Sequence, residues 1–205
     1  MKGVEHMTIH YEVGDGLYLN ITNKCPCNCE FCIRNNGDNA YGSDPLWLEH
    51  EPSLEEIYAA LDEVDLSKYK EVVFCGFGEP LERLDDVIEV CKYLRKRNSP
   101  PIRINTNGLA DLINGKQTAH LFKDLVDVIS ISLNAGTEKE YLRVTKPKFK
   151  ENAFKAVQDF SVACREYVPK VMFTVVDVIS ENEIKQAQEI ADRLGIPLRV
   201  RKYDS

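Results

Sequence analysis

The sequence predicts an α/β domain on a parallel sheet, folded as an open partial (β/α)6 barrel. Three observations lead there. Six short runs rich in Val and Ile alternate with amphipathic helical stretches. Several of those runs are nearly continuous in apolar residues, as strands covered on both faces are. The chain has 205 residues, whereas a complete eight-unit TIM barrel needs about 250. The competing flat, doubly wound sheet would carry Gly-x-Gly-x-x-Gly after its first strand, and no such run follows here.

Taken in order, strands are expected at residues 17–22, 71–75, 102–106, 128–133, 171–177 and 198–202. Residues 1–16 are expected as a lead-in and 17–205 as a single core domain. After the first strand, Ser53 followed by Glu56 forms a capping box, with Leu54, Ile57, Tyr58 and Leu61 on one face behind it. A second helix is expected at 83–97, facing Val87, Ile88, Cys91 and Leu94 inward. Its basic end, Lys92, Arg95, Lys96 and Arg97, complements the helix dipole. A short helix is expected at 120–125, and a longer one at 151–167 that buries Ala153, Val157, Phe160 and Cys164. The last starts at a second Ser/Glu pair, Ser180 with Glu183, and stops at Gly195.

Composition narrows the function classes. The net charge of −7 argues against a nucleic-acid surface, which usually shows a basic excess. No apolar run approaches the roughly 18 residues of a membrane span. Residues 1–11 lack the apolar stretch of a signal peptide, so a cytoplasmic protein is expected. Four of the seven cysteines fall within eight residues, Cys25 to Cys32. In a reducing compartment such clustering points to metal rather than disulfides.

That run contains Cys25-x3-Cys29-x2-Cys32 directly after the first expected strand. Three thiolates this close can ligate three irons of one cuboidal cluster, leaving the fourth iron open for a substrate or cofactor. A zinc site would want four ligands, usually in two separated pairs, and no second pair follows. A closed ferredoxin-type site would need Cys27 as its fourth ligand. In an extended segment, however, Cys27 would point away from its neighbours two residues either side.

With Phe31 before the last cysteine, the run resembles the signature of the radical S-adenosylmethionine superfamily. The resemblance implies two cofactors, a [4Fe–4S] cluster on Cys25, Cys29 and Cys32, and S-adenosylmethionine chelating the open iron. It also implies reductive cleavage of that cofactor to a 5′-deoxyadenosyl radical that abstracts hydrogen from substrate. Length and strand-end motifs are most similar to the small stand-alone TatD-linked members. An electron donor such as flavodoxin or ferredoxin would then be a partner. The alternative is a non-catalytic iron–sulfur or zinc-binding carrier on the same fold.

The other strand ends fit this resemblance, since barrels of parallel strands carry their chemistry there. The second strand ends Cys75-Gly76-Phe77-Gly78-Glu79-Pro80. It is similar to the family's Gly-Gly-Glu-Pro loop, which implies contacts from Gly76, Gly78, Glu79 and Pro80 to the cofactor's amino group. Phe77 departs from that motif, and a glycine-rich turn alone would look the same. The third strand ends Thr106-Asn107-Gly108, a tripeptide the family often has and that also marks ordinary turns. On the fourth, alternation puts Ser130, Ser132 and Asn134 on one face. The family implies that Ser132 and Asn134 meet the ribose or the methionine carboxylate. Ser130 fits such a partner and a backbone partner equally well. Phe31 covers the adenine or belongs to the core.

Asp177, at the end of the fifth strand, is the candidate catalytic acid, orienting a substrate or pairing with Arg199 or Arg201. The sixth strand ends Arg201-Lys202-Tyr203. Cys75, Cys91 and Cys164 are expected as buried apolar groups. Residues 33–52 form a long polar loop without a lysine or arginine run, suited to a small-molecule or peptide substrate or to docking a partner.

Overall fold

A computed structural model describes residues 7–203; residues 1–6 and 204–205, at the ends of the expected lead-in and core, lie outside the described residues. Seven strands form one sheet in the order β1 (His10–Val13), β2 (Gly16–Leu19), β3 (Glu71–Phe74), β4 (Ile102–Thr106), β5 (Val128–Ser132), β6 (Lys170–Val176) and β7 (Leu198–Arg201). β1 pairs antiparallel with β2, and every later pair is parallel. The order never reverses, so there is no switch point of the doubly wound kind. Right-handed crossovers then keep all helices on one face and leave the other concave. The six parallel strands are those expected from the sequence. β1 is an addition, since residues 10–13 fall in the expected lead-in.

The helices are α1 (Leu54–Asp62), α2 (Leu84–Lys96), α3 (Ala110–Asn114), α4 (Glu138–Thr145), α5 (Asn152–Cys164) and α6 (Glu181–Leu194). Alternation divides the sheet chemically. Val72, Phe74, Ile102, Ile104, Ile129, Ile131 and Phe173 are wholly buried on the side of the helices. Arg103, Asn105, Ser130, Met172 and Thr174 point the other way, into the concave side. Cys91 and Cys164 are buried as expected, and burial pushes the Cys91 thiol up to about 12.

Helices α3 and α4 lie where the sequence suggests none, and the helix expected at 120–125 is a 3-10 turn, Ala119–Phe122. The signal for α4 is present. Thr137 caps it by accepting from the Glu140 N–H at 3.2 Å. Ser53 and Glu56 form the full capping box. Ser180 and Glu183 form half of one: Ser180 Oγ accepts from the Glu183 N–H. The Glu183 carboxylate instead takes the N–H groups of Gly136 and Thr137 and the Thr137 hydroxyl, at 2.8–2.9 Å. It thereby ties α6 to the start of α4.

A second, smaller core lies at the strand-end rim. Tyr11, Ala40, Leu46 and Phe77 bury one another, with Val13, Tyr18 and Ile33 packed around them. Trp47 meets Phe77 edge-on at 5.0 Å. This cluster docks the long loop after the cysteines onto the β1–β2 hairpin. No described helix is long and apolar enough to cross a membrane.

Candidate functional site

The cysteine run follows β2 as an irregular loop held from both sides. On one side Lys24 O accepts from the Glu79 N–H at 2.8 Å. On the other, the N–H groups of Asn28 and Glu30 donate to Thr145 O and Val144 O at 3.0 Å. Both are carbonyls of the last turn of α4, which lack partners within the helix. Lys146, left-handed with φ 44°, ends α4 and leaves them open to the loop. Just beyond, the Lys148 N–H donates to Pro26 O. Arg143 and Lys146 add ion pairs to Glu30.

Cys25, Cys27, Cys29 and Cys32 all line one cavity of about 210 Å³. Cys27 therefore does not point away. The alternation argument presumes an extended strand, and residues 23–32 form none. Cys27 is buried, and its contacts with the Cys25 and Cys29 thiols, together with burial, push its own thiol up while pulling Cys25 down to about 7. Burial raises Cys32. Among the described residues no three His, Cys, Asp or Glu side chains converge on a single-ion position. The donors gathered on one cavity wall are thiols, the ligand type that an iron–sulfur cluster takes.

The rims of β3, β4 and β5 complete the cavity. Gly76, Gly78, Glu79, Thr106, Asn107, Ser132 and Asn134 line it, as does Phe31, half-buried beside the cysteines. Two expected residues stand apart. Pro80 is buried as the first residue of a 3-10 turn, Pro80–Arg83. Asp177 is exposed and is not among the lining residues. Its Oδ1 accepts from the Tyr203 N–H at 2.7 Å, and among the described residues it makes no ion pair with Arg199 or Arg201.

The glycine loop also packs closely against the chain itself. A Cβ on Gly78 would lie 2.3 Å from Thr22 O and 2.7 Å from Lys24 O, and one on Gly76 would lie 2.1 Å from Asn20 Oδ1. The missing side chains make room for Asn20 at Gly76 and for the backbone leading into the cysteines at Gly78. Asn20 is wholly buried and donates to Thr8 O and Leu46 O, while its Oδ1 has no hydrogen-bond partner.

Glu79 is the knot of the rim. Its carboxylate accepts from the Leu81 N–H, the Thr106 hydroxyl at 2.7 Å and the Asn107 N–H at 2.7 Å. Burial pushes its pKa up to about 8. Thr106 Oγ1 in turn accepts from Gly108, whose φ of +78° needs glycine. Asn107 points its amide at the Cys25 and Cys27 sulfurs, at 4.0 and 3.9 Å.

Several lining residues go beyond those expected from sequence. Tyr11 reaches the cavity from β1 and donates to Cys75 O at 3.2 Å. Cys75, expected in the core, lines the cavity half-buried. Arg201 and Tyr203 close the far side, where the Tyr203 hydroxyl meets Asn36 Oδ1 at 3.2 Å. The alternation of Ile9, Tyr11 and Val13 is the available signal for β1.

A model of the radical SAM superfamily matches residues 19–193. Curated relatives include the dual-specificity RNA methyltransferases RlmN of a Nitratiruptor species, 24% identical over 188 residues, and of Nautilia profundicola, 25% identical over 193. Each match covers 86% of this chain and 50% of the relative, so the chain spans about half the length of these relatives. Among solved structures, SuiB of Streptococcus suis bound to S-adenosylmethionine is similar with a TM-score of 0.58 at 16% identity, over 92% of this chain and 38% of that one. The [FeFe]-hydrogenase maturase HydG gives 0.61 at 14%, over 92% and 42%. Methylornithine synthase PylB gives 0.60 at 12%, over 92% and 53%. At these identities the structural likeness speaks for the fold.

Proposed function

The chain belongs to the radical SAM superfamily, and from that premise we propose that it holds a [4Fe–4S] cluster on Cys25, Cys29 and Cys32, cleaves S-adenosylmethionine there, and acts on a small-molecule or peptide substrate. When bound, that pair of cofactors supplies one-electron cleavage of the sulfonium S–C5′ bond and so a 5′-deoxyadenosyl radical that abstracts hydrogen. The observation that carries the reading is the meeting of the three spaced cysteines with the β3, β4 and β5 rims around one cavity. A carrier or an interaction domain has no use for such a cradle.

The chain's own residues bind and orient. Backbone at Gly76–Glu79 would take the cofactor's amino group, with Pro80 setting the path of the loop. Ser132 and Asn134 would take ribose hydroxyls or the methionine carboxylate, and Phe31 would cover the adenine. Glu79 and Thr106 hold the β3 and β4 rims in register. Asn107 offers N–H groups toward the cysteine sulfurs. Asp177 enters as a positioning residue that fixes Tyr203 at the cavity wall through its N–H. A flavodoxin or ferredoxin would deliver the electron.

The test is anaerobic reconstitution with iron and sulfide, reduction, and measurement of 5′-deoxyadenosine. A cluster carrier would return S-adenosylmethionine intact. A second reading, an RNA substrate, is favoured by the relatives named as RNA methyltransferases. It is opposed by the net charge of −7. Stimulation of 5′-deoxyadenosine release by RNA, with salt-sensitive binding, would decide for it.

A further inference from the structure

Beyond the cysteine end, the concave face of the sheet continues into a second cavity of about 500 Å³. The two linings share Tyr41, Cys75, Asn105, Arg201 and Lys202, so the cavities adjoin one another. Its arginines fall into two kinds. Arg103 is fully engaged: Glu71 accepts two of its N–H groups at 3.0 and 2.6 Å, Asn105 Oδ1 a third at 2.8 Å, and the Tyr18 hydroxyl lies at 3.1 Å. Arg199 and Arg201, exposed on the edge strand β7, line the same cavity, and among the described residues neither makes an ion pair or hydrogen bond through its side chain. Two apart on β7, they share one face and pair in register with Thr174 and Val176.

Like charges side by side on one strand face repel each other. This chain, with 33 acidic residues and a net charge of −7, nevertheless places none of its described carboxylates against them. A guanidinium fork matches a carboxylate or a phosphate, and two forks on a cavity wall can hold one such group between them. A recess of this volume suits a small ligand. Asn105, Ser130 and Thr174 supply hydrogen-bonding groups along the path from the arginines to the cysteine end.

We propose that Arg199 and Arg201 bind the carboxylate or phosphate group of a small anionic substrate, whose remaining part runs along the concave face toward the cysteine cavity. The inference rests on the radical reading for what becomes of that molecule, but its binding is measured separately.

The reconstituted full chain is titrated at low salt with glutarate, with inorganic phosphate and with glutaramide, a neutral isostere, and followed by calorimetry and thermal shift. One of the two anions is expected to bind saturably and to raise the melting temperature, and glutaramide to do neither. Whichever anion binds tighter distinguishes a carboxylate from a phosphate source. Arg199→Gln with Arg201→Gln should weaken binding by about tenfold or more. The double lysine variant, which keeps the charge and loses the fork, should fall between. Lys155→Gln, on the surface of α5, should bind like the parent. Equal binding by the parent and the double glutamine variant would overturn the assignment. So would no saturable binding of either anion below about 10 mM, which would leave the arginines as guards of the sheet edge. Tighter, arginine-dependent binding of a tRNA would overturn the small-molecule part. The radical reading has its own test, 5′-deoxyadenosine after reconstitution and reduction, and its failure there would leave the anion site standing.

Discussion

At the scale of single residues, the cysteine spacing is legible because it is local, whereas the orientation of Cys27 is not. Its side chain is set by the N–H groups of Asn28 and Glu30, which follow the carbonyls of α4, far later in the chain. Four thiols on one wall sharpen the choice of ligands. Cys25→Ala, Cys29→Ala and Cys32→Ala are each expected to lose bound iron and 5′-deoxyadenosine release. Cys27→Ala should keep both; iron analysis after reconstitution checks this, and loss in all four variants would make Cys27 a ligand. Glu79 offers a test that needs no cofactor. Above about pH 8, where its carboxyl is ionised, Glu79→Gln keeps the size but turns an acceptor oxygen into an NH2 among three donors. Leaving one buried donor unmet costs about 1–3 kcal/mol, so the melting temperature should drop by roughly 5 °C. An unchanged midpoint would show that the knot of the rim is elsewhere.

At the scale of elements, all six parallel strands and the four longer helices can be read from sequence, because apolar periodicity over several residues outweighs local noise. The short elements cannot. α3 has five residues and α4 eight, too few for a periodic face to stand out. What the cysteine loop leans on is equally hidden, since Gly78 looks the same in sequence whether it admits a ligand or a neighbouring backbone. A Cβ on Gly78 would lie 2.3 Å from Thr22 O, so the neighbouring backbone alone already requires glycine there. Gly78→Ala should therefore displace the cysteine loop and reduce iron retention as well as S-adenosylmethionine affinity. A variant with full iron content and weakened cofactor binding alone would point back to a ligand contact. The junction of α6 and α4 is separable from the site. Glu183→Ala removes three hydrogen bonds and should cost about 2 kcal/mol. Urea denaturation should show it as a lower midpoint at an unchanged slope.

At the scale of the whole molecule, the chain carries two cores with different duties. The large one, between the sheet and its helices, holds the strands in place. The small one, around Phe77, holds the β1–β2 hairpin and the loop after the cysteines over the strand ends. Phe77 stands where the resembled motif has glycine, and its burial explains the departure. The loop it anchors carries its own bonds, from Leu46 N–H to Asp38 O and from Ser43 N–H to Ala40 O. It is also held by Asn20, which donates to Leu46 O at 2.7 Å. Removing a buried phenylalanine typically costs about 3–5 kcal/mol. Here that loss should fall on the small core, because Phe77 belongs to it and not to the large one. Phe77→Ala is thus expected to open residues 36–48 as a unit without melting the sheet. Hydrogen exchange should show protection lost at Ser43 and Leu46 and kept at Ile104 and Ile131. Uniform loss across the strands would mean that the two cores fold as one. Selective loss, with faster proteolysis at the loop, would show that the cover of the cavity can loosen independently of the scaffold that carries the cysteines.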